Sequence, residues 1–231
     1  MKKGKKYLES LGKVNKATAY DLKEAIELVK ETSYTKFDAS IEIAVKLNLD
    51  TTKVDQQLRG AIVLPKGTGK SKTVLVIAKG EAAAKAKEAG AEHVGDEDMI
   101  NKIAIENFMD FDVVITTPDM MPVLGRVAKI LGPKGLMPNL KTGTVTNDVE
   151  KAVNEIKKGR FEYRTDKFGN IHGAVGKVSF DVDSLEENIR FAYDVILKAK
   201  PITVKGDYVV SVFITSTMGP SVKVDLNSLT I

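Results

Sequence analysis

Apolar residues in the first quarter of the chain change period at one point. Leu22, Ala25, Ile26 and Val29 fall on one helical face behind Asp21-Leu22-Lys23-Glu24, an N-cap with an acid three places on. From Phe37 the period drops to two. Ile41, Ile43, Val45, Leu47 and Leu49 alternate with Glu42, Lys46 and Asn48, and Phe37 and Ala39 keep the apolar phase while Ser40 lies on the polar side. This predicts a strand with one buried face. A second strand is expected over 59–64, ending at Pro65.

The middle of the chain alternates strand and helix. Residues 73–78 read as a strand, 81–89 as an Ala/Lys-rich helix stopped by Gly90, 92–94 as a short strand and 97–107 as a helix. Residues 111–117 are almost unbroken apolar, as a strand covered on both faces of a parallel sheet requires. Met120, Val123, Leu124, Val127, Ile130 and Leu131 predict one helix up to Gly132, and a further helix over 148–158 stops at Gly159.

Beyond Gly159 half-buried strands return. Phe161 and Tyr163 alternate with Glu162 and Arg164, residues 166–170 make a hairpin turn, and 171–180 runs back, loosened by Gly173 and Gly176. Ser184-Leu185-Glu186-Glu187 is a capping box, opening a helix that carries Leu185, Ile189, Ala192, Val195, Ile196 and Ala199 up to Pro201. In the next strand, 208–217, Tyr208, Val210, Val212 and Ile214 share one face. The other holds Ser211, Thr215 and Thr217, interrupted by Val209 and Phe213, and a last strand is expected over 222–226.

A strand face of hydroxyls instead of charges, running into Met218-Gly219-Pro220, suits a shaped polyanion such as RNA, met through 2′-OH and phosphate groups. The same residues also read as a solvated edge strand and turn. Both flanks share amphipathic helices and half-buried strands, and the middle has its own rhythm. The expected fold is therefore two-domain α+β. Residues 1–66 plus 160–231 form a discontinuous α+β domain, and 67–159 form an inserted Rossmann-like α/β domain with a parallel sheet in three layers. Gly67, Gly69 and Gly159 at the two crossings predict a hinge.

Charge adds a little. Of 231 residues with net charge +4, residues 1–66 hold 13 Lys and Arg against 9 Asp and Glu, and the rest balances. Lys2, Lys3, Lys5, Lys6, Lys13 and Lys16 against Glu9 fit either an electrostatic grip on phosphates or a solubilising tail. Absence of cysteine excludes disulfides, thiolate catalysis and Cys-ligated zinc, and fits a cytoplasmic protein. His93 and His172 alone do not build a histidine-rich metal site or a Ser-His-Asp triad, so no metal and no cofactor are expected. No apolar run approaches the ~20 residues of a membrane span. The basic start has no apolar core behind it, so no secretory signal is expected.

Lys66-Gly67-Thr68-Gly69-Lys70-Ser71 imitates a phosphate-binding loop, but Leu64 stands where the pattern needs glycine, and a strand follows where a helix is required. It reads as a flexible basic linker. Leu131-Gly132-Pro133-Lys134-Gly135-Leu136-Met137-Pro138 reads as a long turn, or with Arg126, Lys129, Lys134 and Lys141 as a phosphate-facing rim.

Several segments together resemble the family of bacterial ribosomal protein L-one. They are Lys36-Phe37-Asp38, Arg59-Gly60 with Pro65 and Gly67-Thr68-Gly69-Lys70, Thr117-Pro118-Asp119-Met120-Met121, the loop from Leu131 to Pro138, Thr142-Gly143-Thr144-Val145-Thr146, Gly169-Asn170-Ile171-His172 and the stretch from Thr215 to Pro220. The resemblance implies a non-catalytic, monomeric protein at a mobile stalk of the large ribosomal subunit. The domain of both chain ends would bind large-subunit ribosomal RNA. The inserted domain would help move deacylated transfer RNA through the exit site, and the protein would repress translation of its own operon's messenger RNA.

The resemblance carries the chief RNA contacts onto Phe37, Thr217, Met218 and Gly219, with Lys36, Ser40, Lys167, His172, Ser211 and Thr215 as neighbours. Phe37 and Met218 would meet sugar and base faces, and Thr217 and Ser211 would hydrogen-bond 2′-OH or phosphate. Read alone, Phe37 is equally the first core residue of its strand, Met218 a cap over the core, and His172 a strand residue bonded to its own neighbours. Lys66 departs from the family, many members of which carry His there. Two other readings are a small-molecule enzyme built on Asp119 and the Gly/Pro loop, and a translational repressor not bound to ribosomes.

Overall fold

The computed structural model describes residues 4–229, so Lys2 and Lys3 of the basic start lie outside the described residues, as does the side chain of Lys141. In chain order the elements are α1 (Lys5–Gly12), α2 (Leu22–Glu31), β1 (Ser40–Leu47), β2 (Arg59–Val63), β3 (Val74–Ile77), α3 (Glu81–Glu88), β4 (His93–Gly95), α4 (Glu97–Glu106), β5 (Val113–Thr116), α5 (Met121–Leu124), α6 (Ala128–Leu131), α7 (Val149–Lys157), β6 (Arg160–Arg164), β7 (Asn170–Lys177), α8 (Val182–Lys198), β8 (Val209–Ser216) and β9 (Ser221–Val224). This is a mixed α/β chain. Its internal contacts divide it into two compact units, Met1–Gly69 with Phe161–Ile231, and Lys70–Arg160.

In the first unit an antiparallel sheet runs in the order β7-β1-β8-β9. The alternation of β1 sends Ile41, Ile43, Val45 and Leu47 to one side, where Val212, Ile214, Val222 and Val224 join them. Onto that side pack Leu22, Ala25, Ile26 and Val29 of α2 and Leu185, Ile189, Ala192 and Ile196 of α8. Each such side chain contributes roughly 1.5–3 kcal/mol when fully buried. A one-residue slip of β1 would expose all four of its core residues, so its register is fixed. The opposite face stays open, with Glu42 and His172 exposed and Ala44, Lys46, Ser211, Phe213 and Thr215 half-buried.

Bulges interrupt both pairings of β1. Against β8 the register steps from Lys46↔Ser211 to Leu47↔Val209, passing over Val210. The expected apolar face therefore loses Val210, which is 55% exposed, and Val209 packs against the core instead. Three further expectations are corrected. The helix expected over 120–131 is broken into α5, α6 and 3₁₀ turns, with Gly125, a poor helix former, opening the 3₁₀ turn between α5 and α6. Its apolar face survives, with Met120, Leu124, Val127 and Leu131 buried. Helix α8 starts ahead of the capping box, because Asp181 is extended and its carbonyl already accepts the Leu185 N–H at 3.1 Å. The 66–69 stretch is not loose: Asn188, fully buried on α8, accepts from the Lys66 N–H at 3.0 Å and donates to the Gly67 carbonyl at 2.9 Å.

In the second unit a parallel sheet β4-β3-β5 is covered on both faces. Val74 and Val76 join one cluster with Ala86, Val153 and Ile156 of α3 and α7. Leu75 and Ile77 join another with Ile100, Ile103, Leu124 and Leu131 of α4, α5 and α6. Two-sided burial is why β3 and β5 read as unbroken apolar runs.

Strands β2 and β6 form a separate ribbon that contributes Phe161 and Tyr163 to the first unit's core. The ring of Phe161 occupies the space that a β-carbon on Gly173 would need. Gly173→Ala is expected to lower the unfolding free energy by about 1–3 kcal/mol, seen as a lower urea midpoint. An unchanged midpoint would mean that the ring has room to move aside.

Candidate nucleic-acid interface

Strand β1 begins at Ser40, three residues later than its apolar phase indicates. Asp38 causes the shift: its carboxylate accepts from the Ser179 N–H at 3.1 Å and the Ser179 hydroxyl at 2.9 Å. Lys177 donates to the Asp38 carbonyl at 3.2 Å and to the Ser40 hydroxyl at 3.1 Å. The chain ahead of β1 is thereby drawn toward the end of β7. Phe37 stands 59% exposed instead of opening the core, and Lys36 is exposed beside it.

The end of β8 is fastened to the same place. The Thr217 N–H donates to the Ser40 carbonyl at 2.9 Å, and the Thr217 hydroxyl accepts from the Ser40 N–H at 3.1 Å and donates to its carbonyl at 3.2 Å. The Tyr34 hydroxyl donates to the Met218 carbonyl at 2.8 Å, and the Gly219 N–H closes a turn onto the Ser216 carbonyl at 2.8 Å. Met218 has φ +68°, a left-handed conformation that costs a non-glycine residue roughly 1–2 kcal/mol. It is 68% exposed, so it does not cap the core. Thr215 donates to the carbonyls of Ser216 at 3.1 Å and of Gly219 at 3.3 Å. Two exposed apolar side chains, Phe37 and Met218, thus project from two loops joined by backbone bonds.

Thr217 is already bonded within the protein. Its hydroxyl already serves the Ser40 backbone, one donor and one lone pair, leaving a single lone pair for an outside group. Its main action is to fix the ledge. Ser40, expected as a contact, is 7% exposed, and its hydroxyl accepts from Lys177.

The other three expected residues lie toward the far end of the sheet. His172 pairs with Ala44 and Ser211 with Lys46 across β1, and Lys167 sits in the 166–169 turn. Lys46 lies six residues along β1 from Ser40, roughly 20 Å at strand spacing. Asp166 organises that end. Its carboxylate accepts from the Asn170 N–H, the Asn170 side-chain amide and the Phe168 N–H, each at 2.8 Å. These bonds, the Asn170 N–H foremost, hold Asp166 down to about 2 from its ordinary 3.8. His172 Nε2 lies 3.7 Å from Asp166 Oδ2 on the open face, at the edge of ion-pair range and exposed.

Tyr34, Asp38, Lys177 and Ser179 shape the ledge yet have no local signal, because each acts on backbone or hydroxyl groups distant in sequence. Asp119 and the stretch from Gly132 to Gly135 are exposed. Among the described residues no group of three His, Cys, Asp or Glu is placed to hold a metal ion.

Gly219 cannot be enlarged as it stands. A β-carbon there would run into the Ser216 hydroxyl oxygen, which is buried with no hydrogen-bond partner among the described residues. Gly219→Ala is expected to lose about 1–3 kcal/mol of stability, and adding Ser216→Ala should recover most of it. Equal losses in single and double variants by urea unfolding would contradict this reading of the turn.

One protein-family model, that of the ribosomal protein L1p/L10e family, matches residues 29–220. The match includes Phe37, the Thr217–Gly219 turn and all the other candidate contacts.

Proposed function

The chain belongs to the ribosomal protein L1p/L10e family, and from that membership we propose that the Phe37 and Thr217–Gly219 ledge is its contact with large-subunit ribosomal RNA. Members are structural constituents of the ribosome that bind ribosomal RNA; they are not enzymes. No helix among the described residues is long and apolar enough to cross a membrane.

The observation that supports the proposal is that Phe37 and Met218 are both exposed on two loops that the Thr217–Ser40 bonds join. An RNA fold offers sugar and unstacked base faces to such apolar groups, and 2′-OH and phosphate to the polar groups around them. Gly219 allows the backbone to approach, and Lys36 adds salt-dependent attraction to phosphate. Lys167, His172 and Ser211 extend the contact along the open sheet face.

In this reading the unit containing both chain ends is the RNA-binding domain and the Lys70–Arg160 unit is an inserted domain. The protein serves at the mobile stalk, a cytoplasmic monomer when free, and its inserted domain assists release of deacylated transfer RNA from the exit site. The same ledge would hold a like-shaped fold in its own operon's messenger RNA and repress translation. A rigid ledge that reads shape does not distinguish the two sources of RNA, which supports a shared site.

Filter binding to a large-subunit ribosomal RNA fragment should weaken as salt rises. Thr217→Val keeps side-chain volume and removes the hydroxyl bonds to Ser40. It is expected to cost about 1–2 kcal/mol of binding, one or two lost hydrogen bonds. Unchanged affinity in both that variant and Phe37→Ala would remove the ledge from the RNA site.

A further inference from the structure

The two most exposed aromatic rings among the described residues stand at opposite ends of β1. Phe37 precedes the strand by three positions, and Phe168, 76% exposed, sits in the turn bonded to its other end. The Leu47 N–H donates to the Gly169 carbonyl at 2.9 Å, which ties that turn to the last residue of β1. From Ser40 to Leu47 the strand spans roughly 23 Å.

A single exposed phenylalanine is ordinary on a protein surface. This one is unusual in how firmly its backbone is held. The Phe168 N–H donates to Asp166 at 2.8 Å, and Lys46 donates to the Phe168 carbonyl. On either side, the Thr51 hydroxyl donates to the Lys167 carbonyl at 2.7 Å, and Asn170 donates twice to the Asp166 carboxylate. An exposed ring on a turn bonded at so many points loses little backbone freedom on binding, so its contact energy is not spent on ordering the chain.

The surroundings fit a nucleic acid. Lys167 is exposed, and its ammonium has no partner among the described residues. The open face continues from Asn170, opposite Lys46, through His172, opposite Ala44, toward Ser40 and the ledge.

We infer that Phe168 is a second RNA-binding residue, a platform on which an unpaired base stacks while Lys167 meets the adjoining phosphate. This rests on the proposed RNA site at Phe37 and Thr217–Gly219, and it makes that site two-pointed, with one aromatic at each end of β1. Unpaired bases in loops and bulges stack on aromatic side chains with little dependence on sequence.

The test uses the full chain and a large-subunit ribosomal RNA fragment in filter binding, with Phe168→Ala, Phe168→Leu, Phe168→Tyr and Phe37→Ala. Thermal unfolding should be unchanged in the three Phe168 variants, because the ring is exposed. Phe168→Ala and Phe168→Leu should each bind about tenfold more weakly. Phe168→Tyr should bind within about twofold of the parent, since the ring face is kept. The salt slope should not move, because no charge is removed. Normal affinity in Phe168→Ala with loss in Phe37→Ala would overturn the inference and leave the ledge in place. Normal affinity in both would overturn the ledge itself. Normal affinity for naked RNA but poor incorporation of Phe168→Ala into subunits would mean a protein contact, which also overturns it.

Discussion

Thr217 and Ser40 are 177 positions apart in sequence, and three hydrogen bonds join them. The two exposed loops at that end of the sheet meet at this junction. Without it, the loop that carries Phe37 and the turn that carries Met218 would be separate segments, each free to bury its apolar group against its own surroundings. The sheet makes the junction possible, because Ile41↔Ser216 pairing delivers Thr217 to the edge of Ser40. That register is set in turn by the core face of β1, so a hydrophobic constraint ends in a polar clasp.

The clasp also explains the strained turn. A left-handed Met218 is unfavourable alone, and it persists because the bonds of Tyr34 to its carbonyl and of Gly219 to Ser216 leave the chain no other course. The outcome is an apolar side chain held out in water at a defined place. Pre-set geometry of this kind favours recognition by shape, since little ordering remains to be done on binding.

Much of the fold was legible in the sequence, because burial leaves a periodic trace. The core residues of β1, α2 and α8 follow from alternation and helical spacing, and β3 and β5 from unbroken apolar runs. What alternation cannot carry is a change of phase. Nothing local marks the bulge that turns Val210 outward or the Asp38–Ser179 bonds that take Phe37 out of the strand. The candidate site was suggested only by a resemblance spread over nearly the whole chain, and the family match spans the segments that carry it. Its support was not legible, since the partner of Thr217 is the backbone of Ser40 and backbone groups have no sequence signature. The candidate contacts divide into a cluster at the ledge and a second one near Lys167, His172 and Ser211, a separation that linear order does not reveal. Phe168 did carry a signal, an aromatic residue inside the polar turn Asp166-Lys167-Phe168-Gly169-Asn170.

If two segments remote in sequence form one surface, they should meet RNA together. Amide hydrogen exchange of the full chain, with and without the ribosomal RNA fragment, tests it most directly. Peptides covering 33–40 and 215–220 should gain protection together when RNA binds. Protection of only one of them, or protection confined to 81–131, would contradict it.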